Sequence, residues 1–135
     1  MLTKAMIIQY IIAQSLGQGF DPSVALAVCK IESNFNPNAV GPKSELGLFQ
    51  LNPLSFPNYT KKQLKNPKLN IRLAIRYLKE VKENCFHQKG ITWLICYNYG
   101  YKNAKKVKHP NVFPYIKRVS KELTTINKEI NRDKI

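Results

Sequence analysis

Acidic side chains are scarce in this chain of 135 residues, in which 8 Asp and Glu stand against 22 Lys and Arg. The formal net charge of +14 attracts polyanions through long-range Coulomb forces, whether nucleic acid, anionic lipid or a negatively charged cell wall. Single-stranded nucleic acid would call for aromatic residues interleaved with basic ones, and only the short stretch 99–108 offers that pattern. We therefore do not expect nucleic acid to be the main partner. A solvated basic surface remains the simpler interpretation of the charge.

Metal-binding patterns are also missing. The 3 cysteines, Cys29, Cys85 and Cys96, lack the spacing of metal ligands, and the 2 histidines lie far apart. The sequence therefore predicts no metal site and no cofactor. Cys29 and Cys96 lie in apolar contexts and are expected to be small buried residues. One disulfide is compatible with three cysteines in an oxidising compartment, but the sequence does not choose the pair.

Long hydrophobic runs are absent as well. The longest apolar cluster, residues 6–13, is shorter than the about 20 residues that cross a bilayer, so no transmembrane segment is predicted. Its isoleucines repeat at helical spacing and are interrupted by Gln9, so we interpret it as the first helix and not as a signal peptide. We expect either that a leader was removed or that the chain is delivered to its site of action by another route.

The remaining pattern is that of one mainly helical domain, with a hydrophobic fraction of 44%. We predict a folded domain over residues 1–123, a basic polar C-terminal tail over 124–135, and a small β-flap within the proline-rich stretch 34–59. The expected helices cover residues 3–16, a segment capped by Asp21 with Pro22 in its first turn, residues 67–84, residues 91–97, and a last helix from about residue 111 to Leu123.

Glu32 stands out because its position continues an apolar helical stripe. Val24, Ala27, Val28 and Ile31 fall at i, i+3, i+4 and i+7, and Glu32 follows Val28 by four. Burial there would raise the pKa of the carboxyl group, and an acid that keeps its proton near neutral pH suits general acid catalysis. The periodicity alone leaves a second interpretation open, in which Glu32 lies at the rim and pairs with a lysine.

Several motifs after Glu32 carry a family resemblance. Glu32-Ser33 is followed by Phe-Asn-Pro-Asn-Ala-Val at 35–40, Gly-Leu-Phe-Gln-Leu-Asn-Pro at 47–53, Tyr-Asn-Tyr-Gly at 97–100, and Tyr115. In this order and spacing, from about residue 7 to 119, the chain resembles the catalytic domain of the soluble lytic transglycosylases, which share a fold with goose-type lysozyme. The resemblance implies a mainly α, α+β lysozyme-like fold with the β-flap beside an active-site cleft.

The resemblance also implies a reaction on peptidoglycan glycan strands. Glu32 would protonate the oxygen between N-acetylmuramic acid and N-acetylglucosamine, and the substrate's acetamido oxygen would stabilise the anomeric carbon. The ionised Glu32 would then take the proton of the C6 hydroxyl as a 1,6-anhydro ring closes. Hydrolases usually need two carboxylates, so a chain poor in acids suits this route.

Substrate-binding roles follow from the same resemblance. Ser33 would orient Glu32 or the substrate, and Gln50 would bind the acetamido group. Tyr97 and Asn98 would line the opposite side of the cleft, and Tyr115 would place its hydroxyl near Glu32. Phe49 and Tyr99 would offer faces on which sugars pack, although an aromatic residue in such a position is more often a plain core residue.

The sequence departs from the family pattern at three positions. Phe49 stands where methionine is common, Asn52 replaces a second methionine, and Cys96 replaces an alanine. Two alternatives to the transglycosylase remain open. One is a goose-type hydrolase that uses Glu32 with Glu45 as base, and the other is a non-catalytic module that anchors a particle to the wall.

The biological setting is predicted only in outline. We expect action in the periplasm or cell wall, with the chain virion-associated or exported and with phage or secretion-machine proteins as partners. The anionic wall surface is expected to attract the basic chain.

Overall fold

The computed structural model describes residues 1–133, and side chains as far as Glu129. The chain forms two compact units, Met1–Arg76 and a second that begins at Tyr77. The helices of the first unit are α1 (Lys4–Gln18), α2 (Pro22–Ser33), α3 (Lys61–Lys65) and the first part of α4 (Pro67–Asn84). The second unit holds the rest of α4, then α5 (Leu94–Tyr99), α6 (Tyr101–Ala104) and α7 (Pro114–Asp133).

The first two helices begin and end where local chemistry directs. The Thr3 side chain accepts a hydrogen bond from the backbone N–H of Met6 at the start of α1, and Gly19 ends the helix with φ at 70°, a conformation that suits glycine. Asp21 caps α2 by accepting from the N–H of Ser23 at 2.9 Å, with Pro22 behind it. The caps predicted at Asp21 and Pro22 are confirmed, and α1 runs two residues beyond the predicted end.

The segment between α2 and α3 holds the predicted β-flap in reduced form. Within the described residues it consists of two isolated antiparallel bridges, Val40 with Leu46 and Leu46 with Leu51. A longer ladder does not form because Ser44 and Gln50 take positive φ, and prolines interrupt the segment. The rest of the segment is turns and one 3-10 turn, Pro53–Ser55.

Helix α4 provides the long apolar face that the sequence indicates. Ile71, Ala74, Ile75, Leu78 and Val81 are buried along it. The short helix α3 before it was not predicted. Its capping box explains it, since Thr60 accepts from the N–H of Gln63 and the Gln63 side chain accepts from the N–H of Thr60.

The second unit is closed by a disulfide between Cys85 and Cys96, with the two Cα atoms 6.0 Å apart. It ties the residue after α4 to the first turns of α5, and α5 packs on α7. Cys96 is therefore buried as expected but also bonded, whereas Cys29 is a buried free cysteine.

Helix α7 continues to Asp133, past the predicted end at Leu123. A polar sequence does not by itself stop a helix, and the hydroxyl groups of Thr124 and Thr125 donate to carbonyls four residues earlier. The predicted tail therefore begins as helix, and its last two residues, 134–135, lie outside the described part of the chain. Among residues 1–133, none of the helices has the length and apolar character needed to cross a membrane.

Candidate active site

Glu32 lies in the last turn of α2 and is half-buried. The helix buries Val24, Ala25, Ala27, Val28 and Cys29. The carboxylate therefore stands at the edge of an apolar core, and the predicted extension of the apolar stripe is only partly realised at this position. Asn34 ends the helix immediately afterwards in the left-handed conformation, with φ at 52°.

Cys29, one turn before Glu32, is held as a neutral thiol. The pKa of the Cys29 thiol is raised to about 12, chiefly because the thiol is buried. The side-chain hydrogen bond between Cys29 and Ser33 opposes this rise, and the neighbouring Glu32 carboxylate adds to it. A thiol in this state is neither a nucleophile nor a metal ligand at neutral pH. Glu32 follows Cys29 by three residues, so the two positions lie on the same face of α2.

The end of α2 is joined to the segment 47–50 through one carbonyl group. The Ser33 hydroxyl donates to the Leu48 carbonyl at 2.7 Å, and the Cys29 thiol donates to the same oxygen at 3.5 Å. Ser33 therefore ties the turn that carries Glu32 to the Gly47 segment. Its hydroxyl hydrogen is committed to the backbone, so the residue positions this segment, and its predicted role toward Glu32 or the substrate stays a prediction.

Asn70 holds the same segment from the opposite side. Its side chain is fully buried and every polar atom is used. Nδ2 donates to the carbonyls of Leu46 at 2.9 Å and Leu64 at 2.8 Å, and Oδ1 accepts from the N–H of Phe49 at 2.9 Å. The role of Asn70 was not predicted from the sequence, although an asparagine on the apolar face of α4, three and four residues before Leu73 and Ala74, was a visible signal.

Gly47 is required where Asn70 approaches the backbone. Its φ is 77°, and a Cβ there would lie 2.6 Å from Asn70 Nδ2. Both the conformation and the close approach exclude a side chain at this position. The glycine that opens the third motif therefore serves the packing of the loop.

Gln50 has a strained backbone and a side chain turned toward its own loop. Its φ is 53°, and Nε2 donates to the carbonyls of Gly47 at 2.9 Å and Ala39 at 3.2 Å. Gln50 Oε1 points toward Gly41. A Cβ added to Gly41 would lie 2.5 Å from Gln50 Oε1 and 2.8 Å from Glu45 Oε2. The acceptor oxygen of Gln50 and the Glu45 carboxylate thus converge on Gly41.

Phe49 is a core residue. Its side chain has 0% exposure, so its ring offers no face on which a sugar could pack, and the sugar-packing prediction gives way to the core alternative. Asn52 caps the following turn, with Oδ1 accepting from the N–H of Leu54 at 3.0 Å. Neither residue needs a ligand to explain its place in the fold.

The second unit carries the three other predicted residues. Tyr97 is half-buried on α5, with its ring centroid 5.8 Å from that of Tyr77, and Asn98 beside it is exposed. Tyr115 is 2% exposed in the first turn of α7, and the Arg118 guanidinium lies 5.9 Å from its ring centroid. Helix packing therefore brings the elements that carry Tyr97 and Tyr115 together within this unit.

Among the side chains that the structure describes, as far as Glu129, no group of three or more His, Cys, Asp or Glu is arranged to hold a metal ion. The chemistry available to the first unit is that of a half-buried carboxylate, an amide oxygen and a second carboxylate at Glu45. One oxygen of Glu45 accepts from the N–H of Lys43 at 2.6 Å.

Comparison with known proteins agrees with the motifs. The family model of the transglycosylase SLT domain matches residues 9–117. A similar solved structure is that of an inactive glutamate-to-glutamine mutant of the lytic transglycosylase Slt from Pseudomonas aeruginosa, with a TM-score of 0.78 and 20% sequence identity. The likeness covers 91% of this chain but 24% of that one, so this chain spans about a quarter of the length of that relative. At this identity it shows the fold, which confirms the predicted lysozyme-like type. No curated protein matches the chain.

Proposed function

Because the chain belongs to the transglycosylase SLT domain family, we propose that it is a peptidoglycan lytic transglycosylase. It cleaves the β-1,4 bond between N-acetylmuramic acid and N-acetylglucosamine. The observation that supports this most directly is the joint between the turn of Glu32 and the Gly47–Gln50 segment, made by the Ser33 hydrogen bond to Leu48. That joint holds an acid and an amide acceptor on neighbouring segments of one unit.

Glu32 acts first as an acid and then as a base in this proposal. Its proton passes to the bridging oxygen as the glycosidic bond breaks, and the acetamido oxygen of the substrate stabilises the positive anomeric carbon. The C6 hydroxyl then attacks that carbon and gives its proton to the Glu32 carboxylate. A 1,6-anhydro ring results, and Glu32 returns to its starting protonation state without a second carboxylate.

The other residues have roles that their contacts constrain. Both hydrogens of the Gln50 amide are given to backbone carbonyls, so Gln50 would accept the acetamido N–H through Oε1. Ser33 and Asn70 would position the segment without touching the glycan. We propose Tyr97 and Asn98 as glycan contacts on the strength of the motifs alone. Tyr115 is 2% exposed, so its proposed role is limited to its hydroxyl group.

A hydrolase that uses Glu32 and Glu45 is the second candidate. The convergence of the Glu45 carboxylate and the Gln50 amide on Gly41 favours it, because it places a second acid beside a proposed substrate contact. The two reactions give different products. Anhydro-muropeptides are lighter by one water than hydrolysed muropeptides, so mass spectrometry of digested peptidoglycan separates them.

The central test replaces Glu32 with glutamine, which keeps the shape of the side chain and removes its acidic proton. We expect wall lysis to fall by about 100-fold or more while the melting temperature is retained. Glu45→Gln is the matched control and should keep near-native activity with anhydro products. Native lysis by Glu32→Gln, or only hydrated products from the native chain, would overturn the proposal.

We further propose that the enzyme makes a local opening in the cell wall, either for injection of a phage genome or for assembly of a secretion machine. The large basic charge is compatible with both settings, since each brings the chain to an anionic wall. Identification of the chain in purified virions, or its co-purification with secretion-machine proteins, would decide between them.

A further inference from the structure

A basic groove lies in the first unit between α3 and the start of α4. Its volume is about 590 Å³, within the range of ligand sites in proteins. Four basic side chains line it, all of them exposed: Lys62, Lys65, Lys68 and Arg72. None of the predicted active-site residues lines this groove.

The positive charge of the groove has no acidic counterpart in the surrounding sequence. Residues 46–76 contain six basic residues and no Asp or Glu. Two of the acids in the first unit are engaged elsewhere, since Asp21 caps α2 and Glu45 accepts from the backbone of Lys43. Lys68 and Arg72 are also four residues apart on one helix, a spacing at which like charges repel each other unless an anion lies between them.

The basic side chains stand on a well-ordered frame. The capping box of Thr60 and Gln63 fixes the start of α3, and Lys68 Nζ lies 5.6 Å from the centroid of the Tyr10 ring. The Gln18 side chain donates to the Arg72 carbonyl at 3.2 Å and so attaches α4 to the end of α1. The groove is therefore presented by packed helices and not by a loose tail.

We propose that this groove binds the phosphate groups of an anionic cell-wall polymer, a polyol phosphodiester, and so holds the enzyme on its substrate surface. The choice of a wall polymer rests on the proposed function. The lining contains no aromatic side chain, whereas proteins that hold single-stranded nucleic acid use aromatic rings on which bases stack. A chain of phosphates without bases suits a groove whose charged side chains are all Lys or Arg and whose lining has no aromatic ring.

The test measures binding and does not depend on catalysis. Purified poly(glycerol phosphate) is titrated against the full chain, the groove variant K62Q/K65Q/K68Q/R72Q, and a charge-matched control K105Q/K106Q/K117Q/K121Q, whose four lysines are exposed in the second unit. Four phosphate contacts predict that log affinity falls with log salt with a slope of about −3. We expect the groove variant to bind at least about 10-fold more weakly at low salt and to lose most of that slope, while the control changes by less than about 3-fold.

Each other outcome overturns the proposal. An equal loss in both variants would mean that the whole surface charge, and not the groove, attracts the polymer. Tighter binding of single-stranded DNA with the same number of phosphates would assign the groove to nucleic acid. The Glu32→Gln variant should bind poly(glycerol phosphate) as the native chain does. The groove variant should still cleave peptidoglycan from which phosphate polymers have been removed. A failure of the proposed reaction is therefore distinguishable from a failure of the proposed binding site.

Discussion

Asn70→Asp exchanges one buried NH2 group for an oxygen beneath the Gly47–Gln50 segment. The acceptor oxygen that holds the N–H of Phe49 is kept. The donor is lost, and a carboxylate oxygen would instead face the carbonyls of Leu46 and Leu64 at the 2.9 and 2.8 Å now spanned by hydrogen bonds. Because Asn70 is fully buried, the charged form of the new side chain is strongly disfavoured in the folded state.

The cost at neutral pH follows from this preference. The folded variant would keep the introduced carboxyl group protonated, and holding a proton at pH 7 on a group whose unfolded pKa is about 3.9 costs about 4 kcal/mol. The protonated acid restores only one of the two donated hydrogen bonds, so about 1 kcal/mol more is lost. A total of about 5 kcal/mol is comparable with the whole stability of many domains.

The pH dependence has a definite sign. The folded pKa of the introduced acid lies above its unfolded pKa, so the folded state binds more protons between the two values. The variant should therefore be close to native below about pH 4, with a loss of about 1 kcal/mol, and should lose stability as the pH rises toward the folded pKa.

Urea unfolding of the variant and the native chain at matched pH values measures the difference. Asn84→Asp is the control, because Asn84 is exposed on the same helix and also donates to a carbonyl, that of Glu80, at 2.8 Å. We expect it to cost less than about 1 kcal/mol at any pH. If Asn70→Asp costs no more than the control, or shows no additional pH dependence, the network beneath the segment does not have the role assigned to it.

Three further predictions concern other buried groups. Ser15→Ala should raise stability by about 1 kcal/mol in thermal unfolding, because the buried Ser15 hydroxyl has no hydrogen-bond partner in the described part of the chain. The control Ser120→Ala, at an exposed position of α7, should gain less. Replacing both Cys85 and Cys96 by Ala should lower stability by about 3 kcal/mol, the loop-closure entropy for a separation of 11 residues, and an unchanged urea midpoint would contradict this. Cys29 should resist alkylation in the native state at pH 8 and react once urea unfolds the chain, because its pKa is about 12 and it is buried; rapid native labelling would refute the buried neutral thiol.

Local chemistry made the helices predictable from sequence. Asp21 with Pro22, Gly19 and the apolar period of α4 act within a few residues, so a reader of the sequence can place these helices to within about two residues. The motifs from Glu32 to Tyr115 predicted the family because each is a short run of residues and because their order and spacing along the chain can be read directly from the sequence. The α7 end was missed because helices continue through polar sequence when nothing stops them.

Long-range pairings could not be predicted in the same way. The pairing of Cys85 with Cys96 depends on how α4 and α5 meet, and three cysteines allow three pairs. The role of Asn70 depends on which loop lies over α4. Its partner Phe49 stands 21 positions earlier in the chain, so the pairing cannot be read from local sequence. The role of Phe49 stayed open because an aromatic residue beside a motif, although more often a core residue, can also bind a sugar, and only its exposure decides between the two.

The hydrogen bonds around residues 46–50 explain why the conformation of this segment depends on a few polar side chains. Two isolated bridges and a few turn hydrogen bonds satisfy only part of the backbone of this buried segment. Side chains must satisfy the rest, since each unpaired group costs about 1–3 kcal/mol. The Ser33 hydroxyl donates to the Leu48 carbonyl, and the Gln50 amide donates to the Gly47 carbonyl. The Asn70 side chain donates to the Leu46 carbonyl and accepts from the N–H of Phe49. These three polar side chains, Ser33, Asn70 and Gln50, are thus occupied in holding the segment together. On the first unit, the proposed substrate contacts are therefore the Glu32 carboxyl group and the Gln50 amide oxygen. A loss of activity after mutation of Ser33 or Asn70 should be accompanied by a loss of stability. Replacement of the Glu32 acid should lower activity without lowering stability.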